Sequence, residues 1–450
     1  MRADNWFISN LDDGQRAIVV SDINKNIIVQ GAAGSGKTNL AIHRAKQASL
    51  FSDNYGIVIY TRALMRMVAT GMRALGLNDE RIVYDWAWNN SGFQLNGNVF
   101  YMESNPDELY LVDGESVRKF IRVMGCASLS SVEEKYPGTT VVGLDFGDWV
   151  SNEHYCRYGR RTSKFREVQC QDVNLEECKP LTSAVLYRRA PESIDYLIVD
   201  EVQDFSKDEL QSNYFSKVNR TYAVFGDSAQ MIYKGRGSSM DNLRLGLKAD
   251  PYFLEFNYRL PKSIARVAQE IAEPSIDLIS KNMKDRGNSD YPNYPKPVVT
   301  KYKDRAEELQ GILDKIREAD LDDVAILVPT DDDLKQVYNF LKDNGIDSQV
   351  LFRTSRTVPF RTINTLDMAN TDMPCILTYH AAKGTEFDNV FVPFANFGTL
   401  TDRKAFYVAC TRSSHSLFIS HTGRRTEFMS KVKKDDIVEI DATSSTNDPF

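Results

Sequence analysis

Short, β-rich apolar runs recur along the chain at residues 27–29, 57–60, 196–199, 222–225, 325–328, 375–379, 390–392 and 416–419. Most are bounded by Gly, Asp, Pro or Thr, as strands ending at one edge of a sheet tend to be. Amphipathic stretches lie between them. In KDRAEELQGILDKIREA, for example, Ala306, Leu309, Ile312, Leu313 and Ile316 form a stripe at spacings of three and four. Buried strands alternating with such helices predict an α/β chain built on parallel sheets. Two regions break the alternation. Residues 86–185 are richer in Asn, Gly, Ser and Tyr and predict a lobe inserted into the first α/β unit, while 279–297 carries three prolines and reads as a surface excursion. DATSSTNDPF predicts a frayed tail.

The chain has 450 residues, enough for about three units at ~150 residues each. Lys+Arg 55 against Asp+Glu 62 gives a net charge of −7, which excludes a sequence-wide polycation. Contact with nucleic acid would need a local basic face. Hydrophobic residues at 42% and charged residues at 26% predict a folded chain. MRADNWFISNLDDGQ lacks a signal peptide's apolar core, and no run reaches the ~18 apolar residues of a membrane span, so the expected location is cytoplasmic, with no membrane partner. Six cysteines are too sparse for a disulfide scaffold. Cys156, Cys170 and Cys178 near His154 match no zinc spacing.

The segment NIIVQ followed by Gly31, Gly34, Ser35, Gly36, Lys37 and Thr38 gives GxxxxGKT between a strand and a helix. Such a loop turns backbone N–H groups toward phosphate oxygens, Lys37 reaches the β- and γ-phosphates, and Thr38 ligates Mg²⁺. The run YLIVDE ends a buried strand in two carboxylates. Asp200 is expected to hold Mg²⁺ and Glu201 to act as general base, which favours NTP hydrolysis over a kinase.

IVDEVQD and VFGDSAQMIYKGRG then resemble motifs II and III of the UvrD/Rep/PcrA-type superfamily 1A DNA helicases, and five further motifs follow the family order. LDDGQRAIV resembles the Q motif, IVIYTRALMRMV motif Ia, LEFNYRLPKSIARVA motif IV, ILTYHAAKGTEFDNVFVP motif V and FYVACTRSSHSLFI motif VI. The resemblance implies two RecA-like motor domains, 1–85 with 186–250 and 251–440, around an inserted 1B-like lobe at 86–185, with a flexible tail at 441–450. ATP and Mg²⁺ are the implied cofactors. By the same resemblance Gln15 reads adenine, Tyr258 stacks on it, Gln230 senses the γ-phosphate with Asp227 nearby, and Arg259 and Arg412 approach that phosphate. Glu386, beside Gly384, contacts the sugar.

For single-stranded DNA, with RNA also admitted, the resemblance implies contacts from Tyr60, Thr61, Arg62, Tyr233, Thr378 and His380. In the lobe, Arg157, Arg160, Arg161, Lys164 and Arg166 interleave with Tyr155, Tyr158 and Phe165, a composition that suits strand binding. A solvated charged face is the alternative.

Three positions depart from the family. Gly235 replaces a base-stacking aromatic, whose loss would remove ~1–3 kcal/mol per base. Asn39 replaces an arginine. Only about twenty residues lie between Leu351 and Cys375, where the family carries its 2B domain, too few for any domain. The expected function is therefore an ATP-dependent single-stranded DNA translocase or helicase in repair or anti-phage defence. The alternative is an ATP-binding subunit in complex with a nuclease or defence protein, with little unwinding of its own.

Overall fold

The computed structural model describes residues 11–60, 62–84, 93, 95, 97–113, 116–145, 163–170, 174–181, 184–189, 192–232, 237–254, 257–258, 260–272, 294–353, 362–364, 366, 372–400 and 402–444. Strands β1 (Ile27–Gly31), β2 (Tyr55–Ile59) and β3 (Ile82–Tyr84) open the first sheet. Seven strands of the lobe follow: β4 (Asn98–Met102), β5 (Asn105–Asp113), β6 (Ser116–Val123), β7 (Val141–Asp145), β8 (Lys164–Val168), β9 (Cys178–Pro180) and β10 (Val185–Tyr187). The chain then returns through β11 (Ile194–Val199), β12 (Val218–Gly226) and β13 (Asp250–Leu254), completing a parallel sheet in the order β13-β1-β12-β11-β2-β3.

Successive residues of these strands enter opposite cores. Ile27, Val29, Ile57, Ile59 and Ile198 pack with the helices Lys37–Ser49 and Arg62–Ala74, while Ile28, Val58, Leu197 and Val199 pack with Phe205, Tyr214 and Leu243. Burial on both faces is why the strands read as continuous apolar runs.

The lobe is an antiparallel sheet in the order β10-β7-β8-β6-β5-β4-β9. Its inward face holds Leu109, Leu111, Phe120, Val142, Leu144 and Phe165. One guanidinium ties it to the first unit: Arg118 on β6 donates to Glu167 on β8 at 2.8 Å and to Glu80 at 2.6 Å, and Glu80 also meets Arg188 at 2.7 Å. Opposed carboxylates hold Arg118 protonated far above its ordinary range.

The third sheet contains β14 (Val298–Tyr302), β15 (Val324–Val328), β16 (Gln349–Arg353), β17 (Thr362–Asn364), β18 (Cys375–Thr378), β19 (Phe387–Val392), β20 (Ser413–Thr422) and β21 (Val438–Asp441). Its order is β17-β16-β18-β15-β19-β20-β14-β21, parallel throughout except for the β16–β17 pair. Two expected boundaries shift. The first sheet runs to Leu254 rather than 250, because β13 pairs in parallel with β1, and the third keeps its edge strand to Asp441, the first residue of the expected tail. The excursion at 279–297 enters the described residues only from 294 onward, and 445–450 lie outside them.

Arg118→Ala removes charged hydrogen bonds to two partly buried carboxylates and should lower stability by about 2 kcal/mol. Thermal unfolding combined with limited proteolysis of the lobe checks this; an unchanged melting temperature and cleavage pattern would contradict it.

Candidate active site

In the first sheet β1, β12 and β11 are neighbours, so the turns leaving their carboxyl ends stand side by side. They bring together the phosphate loop, Gln230 and the pair Asp200–Glu201. Such edges are where α/β sheets place ligands.

The loop turns on Gly34 and Gly36, whose φ values of 79° and 86° are left-handed. A Cβ on Gly36 would also stand 2.8 Å from Gln15 Nε2 and displace that amide, so its left-handed backbone is what requires glycine and the Gln15 contact adds to it. Gln15 is buried; it closes a capping box with Asp12 and donates to the Ser35 carbonyl at 3.3 Å. Its amide retains a second N–H and a second lone pair, the donor–acceptor couple that a purine edge needs. Lys37 Nζ donates to the carbonyls of Gly31 and Ala32, each at 2.9 Å.

Across the loop Thr38 donates its hydroxyl to Asp200 Oδ2 at 2.6 Å. These two hard oxygens, one anionic, fit Mg²⁺. Asp200 has no exposed surface, and burial together with Glu201 pushes its carboxyl up to about 6, against the pull of Thr38 and Lys37. Glu201 is buried too, but the positive charges of Lys383 and Lys37 outweigh the desolvation and hold it below the usual carboxylate range. Its backbone is left-handed at φ 53°, an uncommon conformation for glutamate that aims it away from the strand. Gln203 donates to Glu201 Oε2 and accepts from the Asp227 amide at 3.1 Å.

The third sheet supplies the opposite wall. Arg412, after the helix Arg403–Cys410, donates to Gln230 Oε1 at 3.1 Å, and Gln230 donates to Asp227 at 2.9 Å. Lys383, in the turn after β18, is wholly buried. Its ammonium binds Asp204 at 2.6 and 2.7 Å, donates to the Gln230 carbonyl and lies 3.6 Å from Glu201. Gly384 takes φ +81° and faces Leu64 of the first unit, where a Cβ would stand 3.1 Å from that side chain. Glu386 is buried just before β19.

Lys37, Thr38, Asp200, Glu201, Gln230 and Arg412 thus share one cleft. Tyr258 joins them through its amide, which donates to the Gly34 carbonyl at 2.9 Å. Asn39 is buried in the helix behind the loop. Arg259, Thr61, Arg157, Arg160, Arg161, Tyr233 and Gly235 lie outside the described residues. Among the other expected strand contacts, Tyr60 is half-buried with its ring edge-on to Phe205 at 5.3 Å, and Arg62 begins the helix Arg62–Ala74. The Thr378 hydroxyl accepts from Ala381 N at 3.3 Å, and the His380 carbonyl accepts from Lys383 N, also at 3.3 Å. Lys164 sits on β8 beside the inward-facing Phe165, away from these turns. Sequence reasoning missed Lys383, Asp204, Gln203 and Asn257. All four lie inside the quoted motifs, but a lysine in a short turn carries no periodic signal of burial.

Parallel sheets, a phosphate loop and an acidic pair on one edge define a nucleotide-binding α/β protein of RecA-like type. Residues 15–236 match the family model of an AAA domain, and residues 374–420 match that of the UvrD-like helicase C-terminal domain. A Mycoplasma pneumoniae protein named as a probable DNA helicase is 27% identical over 278 residues, covering 55% of this chain and 47% of that protein. The ATP-dependent DNA helicase Rep of Buchnera aphidicola subsp. Schizaphis graminum is 27% identical over 168 residues, 35% of this chain and 25% of Rep. The ATP-dependent DNA helicase PcrA of Bacillus subtilis is 28% identical over 148 residues, 30% of this chain and 19% of PcrA. This chain therefore belongs to the UvrD/Rep/PcrA-type helicase family; it spans less than half the length of each of these relatives.

Lys383→Met should destabilise the fold by about 3 to 5 kcal/mol at neutral pH, because it leaves buried carboxylates unpaired. Burial already pushes Asp204 up to about 7 despite the attraction of Lys383. A carboxyl raised by folding contributes stability below its unfolded value, near 4, and loses it as pH rises through the folded value. The deficit of the variant should accordingly grow from pH 5 to pH 8 in thermal unfolding; a pH-independent deficit would contradict the pairing.

Proposed function

We propose that the chain is an ATP hydrolase that moves along single-stranded DNA, a translocase or helicase acting in DNA repair or anti-phage defence within the cytoplasm. The observation that carries this reading is the cleft between two parallel sheets, in which Arg412 and Lys383 of one reach Gln230, Asp204 and Glu201 of the other. Inward N–H groups of the phosphate loop and Lys37 hold the phosphates, Gln15 and Tyr258 hold the base, and Glu386 holds the sugar. Thr38 and Asp200 would hold Mg²⁺, which would supply positive charge against that developing on the phosphates. Glu201, kept anionic, accepts the proton of the attacking water. Arg412 moves from Gln230 to the γ-phosphate, joined by Arg259; an arginine so placed contributes roughly 10³- to 10⁵-fold in rate. Because these groups sit on separate sheets, phosphate gain and loss closes and opens the cleft. Tyr60 and Arg62, just after β2, and Thr378 and His380, at and just after the end of β18, feel that motion on the strand, with Thr61 and the lobe cations as further contacts.

A second reading, a partner subunit with little unwinding of its own, is favoured by one observation. The antiparallel β16–β17 pair leads into β18 with no room for a 2B domain.

Single-stranded DNA should stimulate ATP hydrolysis at least tenfold, and Glu201→Gln should abolish turnover while leaving ATP binding intact. ATPase rates without nucleic acid and with single-stranded DNA, duplex or RNA check this. Rates unmoved by single strands would sink the translocase, and strand displacement on a tailed duplex separates the two readings.

A further inference from the structure

The phosphate loop is gripped from outside as well as prepared inside. Each carbonyl from Gly31 to Ser35 has a captor: Lys37 on Gly31 and Ala32, Gln15 on Ser35, and two consecutive residues of the segment joining the sheets on Ala33 and Gly34. Asn257 Nδ2 donates to the Ala33 carbonyl at 2.6 Å, and the Tyr258 amide donates to the Gly34 carbonyl at 2.9 Å. The other end of the Asn257 carboxamide accepts from Leu260 N at 2.8 Å, ahead of the helix Lys262–Ile271. Asn257 is 4% exposed. Along the chain it lies between β13 and the first helix of the second unit, with the donor half of its amide on the phosphate loop and the acceptor half on Leu260, two residues ahead of that helix.

An anion nest works only if its N–H groups point inward, which requires its carbonyls to point outward and stay satisfied there. We propose that Asn257 is a positioning residue that holds the phosphate loop and the Tyr258 ring in one register, so that base and phosphate subsites move as a single body during opening of the cleft. No other common side chain of that length offers both the donor for Ala33 and the acceptor for Leu260; aspartate keeps only the acceptor and turns a like charge toward a carbonyl. The consequence for nucleotides rests on the ATP-binding reading above, whereas the clamp itself is a property of the nucleotide-free chain.

The test uses the full chain with Asn257→Asp and Asn257→Ala. Hydrogen exchange without nucleotide should show the Tyr258 amide exchanging at least tenfold faster in both variants. Leu260 should stay protected in the Asp variant and lose protection in the Ala variant. The KM for ATP should rise about tenfold in both, with a smaller change in kcat, and the preference for ATP over CTP should fall because the base platform is no longer registered to the phosphates. An unchanged Tyr258 amide in the Asp variant overturns the clamp. Equal weakening of ATP and CTP overturns the registering role and leaves Asn257 a packing residue. Absence of nucleotide binding by the unaltered chain overturns the ATP reading instead, and the exchange data then decide the clamp alone.

Discussion

A buried ammonium cannot be left alone, and Lys383 is buried completely. It belongs to the third sheet, yet its partners Asp204, Glu201 and the Gln230 carbonyl all belong to the first. The two sheets therefore close on each other wherever this charge is satisfied by the protein itself. Much of the cleft follows from that constraint. Glu201 stays anionic against full burial because a cation lies 3.6 Å away, and Gln230 is presented to Arg412 by a backbone that Lys383 holds. A ligand that adds negative charge to this cleft competes with Asp204 and Glu201 for the same cations. Under the reading proposed above, such a ligand would couple occupancy of the cleft to the spacing of the sheets.

The metal corner obeys the opposite logic. Asp200 is buried beside another carboxylate, and the nearest help is the Thr38 hydroxyl and the Lys37 ammonium. Its raised carboxyl marks a site short of positive charge, which a divalent cation would relieve. Lys37 meanwhile rests on its own loop's carbonyls, a position it can leave when phosphate oxygens offer stronger, charge-assisted bonds. The two logics meet at the end of β11, where Asp200 stays short of positive charge and the adjacent Glu201 has the Lys383 ammonium 3.6 Å away.

What the sequence disclosed follows from how each element is buried. Strands β1, β2, β11, β12, β15, β18, β19 and β20 carry apolar residues into two cores and announced themselves as runs. Strand β13, DPYFL, is a sheet edge with Asp250, Pro251 and Phe253 exposed, and β21, VEID, is exposed throughout; neither pattern separates a strand from a loop. The lobe was legible only as a change in composition, because its antiparallel strands mix buried, half-buried and exposed residues and give no continuous apolar run of the kind the parallel strands show. At the site the phosphate loop and the acidic pair were legible from motif spacing, and Gln230 and Arg412 from the resemblance to the helicase motifs. Lys383, Asp204 and Asn257 were not, since their roles depend on contacts between segments 153 to 224 residues apart that no local pattern encodes.

The insertion of the lobe has a consequence for how the chain is made. Strand β11 lies between β2 and β12, and β1 lies between β12 and β13, so the first three strands emerge with their central neighbours still missing. The lobe's own pairings are mostly local, and it can collapse while the first sheet remains an incomplete set of exposed edges. That sheet closes only after residue 254 has left the ribosome. A nascent chain paused before that point would display the apolar edges of β1 and β2 unpaired, making this the interval in which the protein depends on chaperones or on speed of synthesis.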